Sequence, residues 1–141
     1  MIIMSVDLGK ARTGIAVCDK TEFLASPLKV IEERNPEKLL EKVILCANEC
    51  KAEIIVVGLP KNMDSSEGES ATNARAFAQK LGELSGIKVD MRDERCTTIT
   101  AHNYLNNVNV RGKKRKSTVD AVAATIILQD YIDSRKNKIT I

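Results

Sequence analysis

A chain of 141 residues, 43% apolar and 29% charged, has the composition of a single globular domain and can bury a core without disulfide staples. The apolar content excludes a disordered chain, and no apolar run approaches the ~18–20 residues of a bilayer span. Net charge is only +3, but residues 111–141 hold eight Lys/Arg against three Asp/Glu while residues 1–110 hold 14 against 16, so the positive charge belongs to the C-terminal part.

Residues 2–8 read as a first strand, rich in Ile, Val and Met, followed by a turn over 9–13 and a second strand over 14–18. Asp7 and Lys10 break the apolar stretch, so no secretory signal is expected and the expected location is the cytoplasm. Residues 24–31 read as a third strand, and the short connections favour an antiparallel meander. Asn35-Pro36 then signals a helix start, with Leu39, Leu40, Val43, Ile44 and Ala47 at helical spacing. Residues 54–57 are a continuous apolar run, the pattern of a strand covered on both faces.

A polar loop over 58–68 leads into a second helix with Ala71, Ala74, Phe77, Ala78, Leu81 and Leu84 on one side. Residues 87–92 read as a fifth strand and 98–105 as a short helix. A basic loop over 106–116 and a last helix from Thr118 to Ser134 follow, the helix N-capped by Ser117 with Val119, Val122, Ala123 and Ile126 inward. The order predicts one α/β domain over 1–141. Its mixed sheet has three antiparallel strands followed by two parallel ones, flanked by helices.

Several residues stand out from this frame. Asp7 ends an apolar strand, where a carboxylate is costly unless paired or metal-bound, and Gly9 lets a ligand approach the backbone beside it. Asp93 and Glu94 follow the fifth strand, and alternation sends them to opposite faces, so at most one enters a shared site. Asp120 is flanked by Val119, Ala121 and Val122. It fits either a capping box with Ser117 or a carboxylate bordering the interior. Carboxylates converging without a Cys/His partner suit a hard cation, Mg²⁺ or Mn²⁺, and such sites cleave phosphodiesters.

Cys18, Cys46, Cys50 and Cys96 lack zinc-ligand spacing, and His102 is the single histidine. Lys10, Arg12, Asn62, Arg95, Thr97 and Thr98 are candidates for phosphate contact, as are Arg111, Lys113, Lys114, Arg115 and Lys116. The basic block at 111–116 equally fits a solvated loop. Two Phe and two Tyr are too few for base stacking as the main grip.

Read together, DLGKARTGIAV, VVGLPKNMDSSEG, ARAFAQKL, DERCTT and KSTVDAVAATIILQDYI resemble the YqgF/RuvX family of bacterial RNase H-like proteins, from about residue 2 to 132. Ser65 stands where the family commonly has Gly, and Cys96 where it has an apolar residue. Members are described as candidate Holliday-junction resolvases and as nucleases maturing the 5′ end of pre-16S rRNA. The resemblance implies an RNase H-like fold and a divalent-metal-dependent nuclease. Its catalytic and metal-binding carboxylates would be Asp7, Glu94 (Asp93 as the fallback) and Asp120, with Lys10 and Arg12 contacting nucleic acid. The expected partner is an rRNA precursor, or the ribosomal particle carrying it, and the alternative is branched DNA. A non-catalytic nucleic-acid-binding module is the reading from another class. No membrane partner is expected, and the chain reads as a monomer or a homodimer.

Overall fold

The computed structural model describes residues 1–9, 11–22, 24–60, 68–93 and 113–139, with side chains through Arg92 in the fifth strand and over 122–135 in the last helix. Five strands, β1 (Ile3–Asp7), β2 (Arg12–Cys18), β3 (Ala25–Glu32), β4 (Ile54–Leu59) and β5 (Lys88–Asp93), form one sheet in the order β3-β2-β1-β4-β5. The β1–β2 and β2–β3 pairs are antiparallel, whereas β1–β4 and β4–β5 are parallel, as the sequence predicts. Among the described residues three helices flank the sheet: α1 (Pro36–Cys50), α2 (Glu69–Ser85) and α3 (Lys113–Ile139).

Alternation along the strands divides the core in two. Met4 and Val6 of β1 and Ile55, Val57 and Leu59 of β4 join α1 and α2 in one cluster. Ile3 of β1 and Ile54 and Val56 of β4 join Ala124, Ile127, Leu128 and Ile132 of α3 in the other. The central strands are thus buried on both faces, which is why β4 reads as an unbroken apolar run. At the outer edge, β3 is exposed over Ser26–Lys29 and carries Pro27 beside a register shift, features that hinder a further strand from pairing there.

The start of α1 follows its sequence signal. Asn35 Oδ1 accepts from the N–H groups of Glu37 and Lys38 at 2.9 and 3.2 Å, and Pro36 takes the first turn. Such a cap contributes about 1 kcal/mol.

Four expectations need correction. First, β2 begins at Arg12, so the hairpin turn is shorter than residues 9–13. Second, α3 starts at Lys113, so Lys113–Lys116 are helical, Ser117 lies inside the helix rather than capping it, and Asp120 is not in the first turn. Lys and Arg are strong helix formers, and the nearest breaker is Gly112. Third, the inward face of α3 is Ala123, Ala124, Ile127, Leu128 and Ile132, while Val122 and Ile126 are half-buried. The run from 121 to 128 is apolar nearly all the way round, so periodicity alone left the facing undefined. Fourth, Leu84 is 67% exposed. Its place on the inward track goes to Ser85, whose hydroxyl donates to the Leu81 carbonyl and accepts from the Ile87 N–H. The predicted helix over 98–105, and positions 106–112 of the predicted loop, lie outside the described residues.

Candidate active site

Asp7 closes β1 at the carboxyl end of the parallel strands and is half-buried. Ser5, two residues earlier on the same face, points toward α3, where its hydroxyl donates to the Ala124 carbonyl at 2.7 Å. Asp7 therefore belongs to the α3 side of the sheet. Its ladder partner on β2 is Gly14. On the other side, Val6 pairs with Val57, so the next step up the ladder sets Asp7 level with Gly58 of β4. The carboxylate is flanked on both neighbouring strands by positions without a side chain. Sequence reading missed this arrangement, because it exists only once the register is known.

The turn that follows is built to be tight. A Cβ on Gly9 would run into the backbone carbonyl of Arg12, so no other residue fits without moving the hairpin. Thr13, the next residue of β2, is fully buried, and among the described residues its hydroxyl is the buried side-chain polar atom without a hydrogen-bond partner.

The direction of α3 fixes what lies above Asp7. From Ala124 onward its contacts pass from Ser5 to Ala25, whose N–H donates to Gln129 at 2.9 Å. They end at Glu22 in the β2–β3 turn, which accepts from Arg135 at 2.9 Å. The helix thus runs antiparallel to β1 and points its N-terminal half toward the Asp7 end. Position 120 lies one turn, ~6 Å, upstream of Ala124, and Asp7 lies ~6.6 Å beyond Ser5 in the same direction. The backbone brings these two predicted positions to one end of the sheet.

β5 supplies the third element. Asp93 closes it opposite Leu59, with strand β4 between it and β1. Along β5 the even positions meet α3: Asp90 accepts a short hydrogen bond from the Tyr131 hydroxyl, and Arg92 donates to Asp130 at 2.8 Å. The odd positions Val89 and Met91 pack on the α1/α2 core.

Of the other predicted residues, Arg12 opens β2 opposite Glu32 and borders a cleft of about 410 Å³ with Glu32, Glu33 and Arg34. The Lys42 ammonium, 2.9 Å away, holds the Glu33 carboxyl below its ordinary range. Lys113, Lys114, Arg115 and Lys116 form the start of α3, which carries no acidic residue in its first turn. Four cations at the positive end of a helix dipole are unfavourable unless an anion joins them. Lys10, Asn62, Glu94, Arg95, Thr97, Thr98 and Arg111 lie outside the described residues, as do the side chains of Asp93 and Asp120. Among the described residues no three His, Cys, Asp or Glu groups converge as a metal site. Cys18, Cys46 and Cys50 are free thiols, and burial pushes the Cys18 thiol up.

A sheet of this order, with the carboxylate end of β1 overlain by the last helix, defines the RNase H-like resolvase fold. Over 97% of both chains it superimposes on Thermus thermophilus RuvC with a TM-score of 0.60 at 14% identity. It likewise superimposes on the Fowlpox virus resolvase solved with Holliday junction DNA, at a TM-score of 0.56 and 15% identity over 96% of this chain and 99% of that one. Residues 1–134 match the family model of RuvX, described as Holliday junction resolvase, and the chain belongs to that family. A relative from Anaeromyxobacter sp. is 40% identical over 96% of this chain and 98% of its own, and one from Clostridium botulinum is 41% identical over 94% and 97%. Both carry the provisional name of pre-16S rRNA nuclease.

Proposed function

We propose that this chain is a divalent-metal-dependent endonuclease that processes the 5′ end of pre-16S rRNA in the cytoplasm, on the free precursor or on the ribosomal particle. The observation that carries the reading is Asp7: a carboxylate at the end of β1, on the face that α3 covers, between two glycine positions. The names of the relatives supply the substrate.

Asp7, Glu94 and Asp120 offer only carboxylate oxygens, the donor set of a hard cation such as Mg²⁺ or Mn²⁺. Such an ion, when bound, supplies Lewis acidity toward a phosphoryl oxygen and toward water. Glu94 is preferred over Asp93 on the resemblance of the DER segment to the family's acidic motif. Within this reading Lys10, Arg12, Asn62, Arg95, Thr97 and Thr98 hold phosphates around the reacting bond. Arg111 and Lys113–Lys116 add cations at the start of α3.

The test is cleavage of an end-labelled pre-16S leader fragment with Mn²⁺ or Mg²⁺. Asp7→Asn should abolish cutting and leave binding largely intact, and EDTA should stop the parent protein. Undiminished cleavage by Asp7→Asn would refute the assignment. A second reading, resolution of branched DNA, is favoured by the family description and by the fold shared with resolvases. Symmetric nicking of a four-way junction, with the leader left intact, would select it. Binding without cleavage of either substrate would select a non-catalytic module.

A further inference from the structure

Three clefts formed by the described residues differ in their lining charges. The groove between α1 and α2 pairs one acid, Glu37, with one base, Lys80, and the cleft beside Arg12 sets two acids against two bases. The third, about 510 Å³ between β5 and the C-terminal half of α3, is lined by Lys88, Arg92 and Arg135 with Asp90 as the carboxylate of the lining, while Asp130 and Glu22 beside it pair with Arg92 and Arg135 at 2.8 and 2.9 Å. Asp90 is already engaged, accepting from the Tyr131 hydroxyl, with the Lys88 ammonium 3.9 Å away. Burial and the adjoining Asp90 charge push the Tyr131 phenol up to about 12, so it stays a donor. The cleft lies along β5, the outermost strand on that side among the described residues.

Its position matters as much as its charge. Arg92 pairs in register with Gly58, the glycine position that adjoins Asp7. With ~4.8 Å between strands, the cleft begins about 10 Å from Asp7 on the same face of the sheet, and no side chain stands between them at Gly58. It then runs down β5 toward Lys88 and Arg135.

We propose that the β5–α3 cleft is the track for the sugar-phosphate backbone of the strand leaving the Asp7 centre, with Lys88 and Arg92 as phosphate contacts and Arg135 held in place by Glu22. This rests on the nuclease reading above. The contacts are to phosphate rather than to bases, because one face of the Tyr131 ring is taken by the Arg135 guanidinium, 5.9 Å from the ring centre. The Arg92–Asp130 pair is a surface pair, with Asp130 57% exposed, so phosphate can displace the carboxylate at little cost.

The experiment measures binding of a labelled single-stranded oligoribonucleotide to the full chain carrying Asp7→Asn, in Mg²⁺, across a salt series. Lys88 is 65% exposed, so Lys88→Gln should leave the fold unchanged. Losing one phosphate contact should lower the salt slope by ~0.7 and weaken binding about 5-fold near 0.1 M salt. Asp130→Asn releases Arg92 and should tighten binding, by up to the same factor, a gain that damage to the fold would not produce. Unchanged affinity and slope for Lys88→Gln and Asp130→Asn would overturn the track. If Asp7→Asn still abolished cleavage, the nuclease reading would stand. Cleavage by Asp7→Asn equal to the parent would instead overturn the nuclease reading itself, and the track with it.

Discussion

Replacing Ser5 with Ala would test how the last helix is seated over the candidate catalytic end. The Ser5 hydroxyl is fully buried and donates to the Ala124 carbonyl at 2.7 Å, tying the middle of β1 to α3 just below Asp7. In Ser5→Ala that carbonyl keeps its place in the helical ladder, so no polar group is orphaned. The loss is one net hydrogen bond, about 1 kcal/mol, with a void too small to add much. For a chain of this length that corresponds to a fall in Tm of about 3–5 °C. The effect on cleavage should be larger than stability alone suggests, because α3 carries Asp120 one turn from the lost contact. A small shift of that helix relative to Asp7 should reduce kcat about 10-fold or more, with RNA affinity unchanged. Thermal melts read beside single-turnover cleavage make the comparison. A melt lowered as expected with kcat intact would refute the idea that this contact positions the site.

Three further perturbations follow from the same geometry. Thr13→Val removes a buried hydroxyl without a partner while preserving shape, and should raise stability by about 1 kcal/mol in denaturant titration. Gly9→Ala forces the hairpin off the Arg12 carbonyl, because the obstacle is backbone and cannot rotate away. It should cost about 1–3 kcal/mol and most of the cleavage activity. Tyr131 has a folded-state pKa raised to about 12 from its ordinary 10.0, so the folded state holds its proton where the unfolded chain releases it. Its contribution is therefore full below pH 10 and lost as pH rises toward 12. Melts across that window should show a shallower alkaline decline for Tyr131→Phe than for the parent.

What could be read before folding was the local and the periodic. The Asn35-Pro36 cap, the doubly buried run of β4 and the meander of β1–β3 each rest on neighbours within a few residues, and the structure keeps them. The start and facing of α3 were not legible. Its basic first turn looks like a loop by charge, and its apolar middle has no clean stripe, so only the sheet it packs on decides which side is inward. Asp7 was visible as a carboxylate at the end of an apolar strand. Its glycine neighbours Gly14 and Gly58 were not, because they depend on pairing register. Nor were the contacts of Arg92 with Asp130 and of Tyr131 with Asp90, which join residues 38 and 41 apart in sequence.

The Ser5–Ala124 contact spans 119 residues. The β1–β2 hairpin can form from neighbouring residues, and β4 and β5 add to it as they follow, but the Ser5 face of the sheet lacks α3 until residues 113–139 arrive. Chains emerge from the ribosome at about 5–20 residues per second, and local structure forms far faster than that. For several seconds, then, a nascent molecule holds Asp7 on an unfinished surface, without the helix that carries Asp120. On the proposed reading, a protein that cuts ribosomal RNA is made by ribosomes in a form unable to cut, and becomes competent only once α3 has emerged and docked.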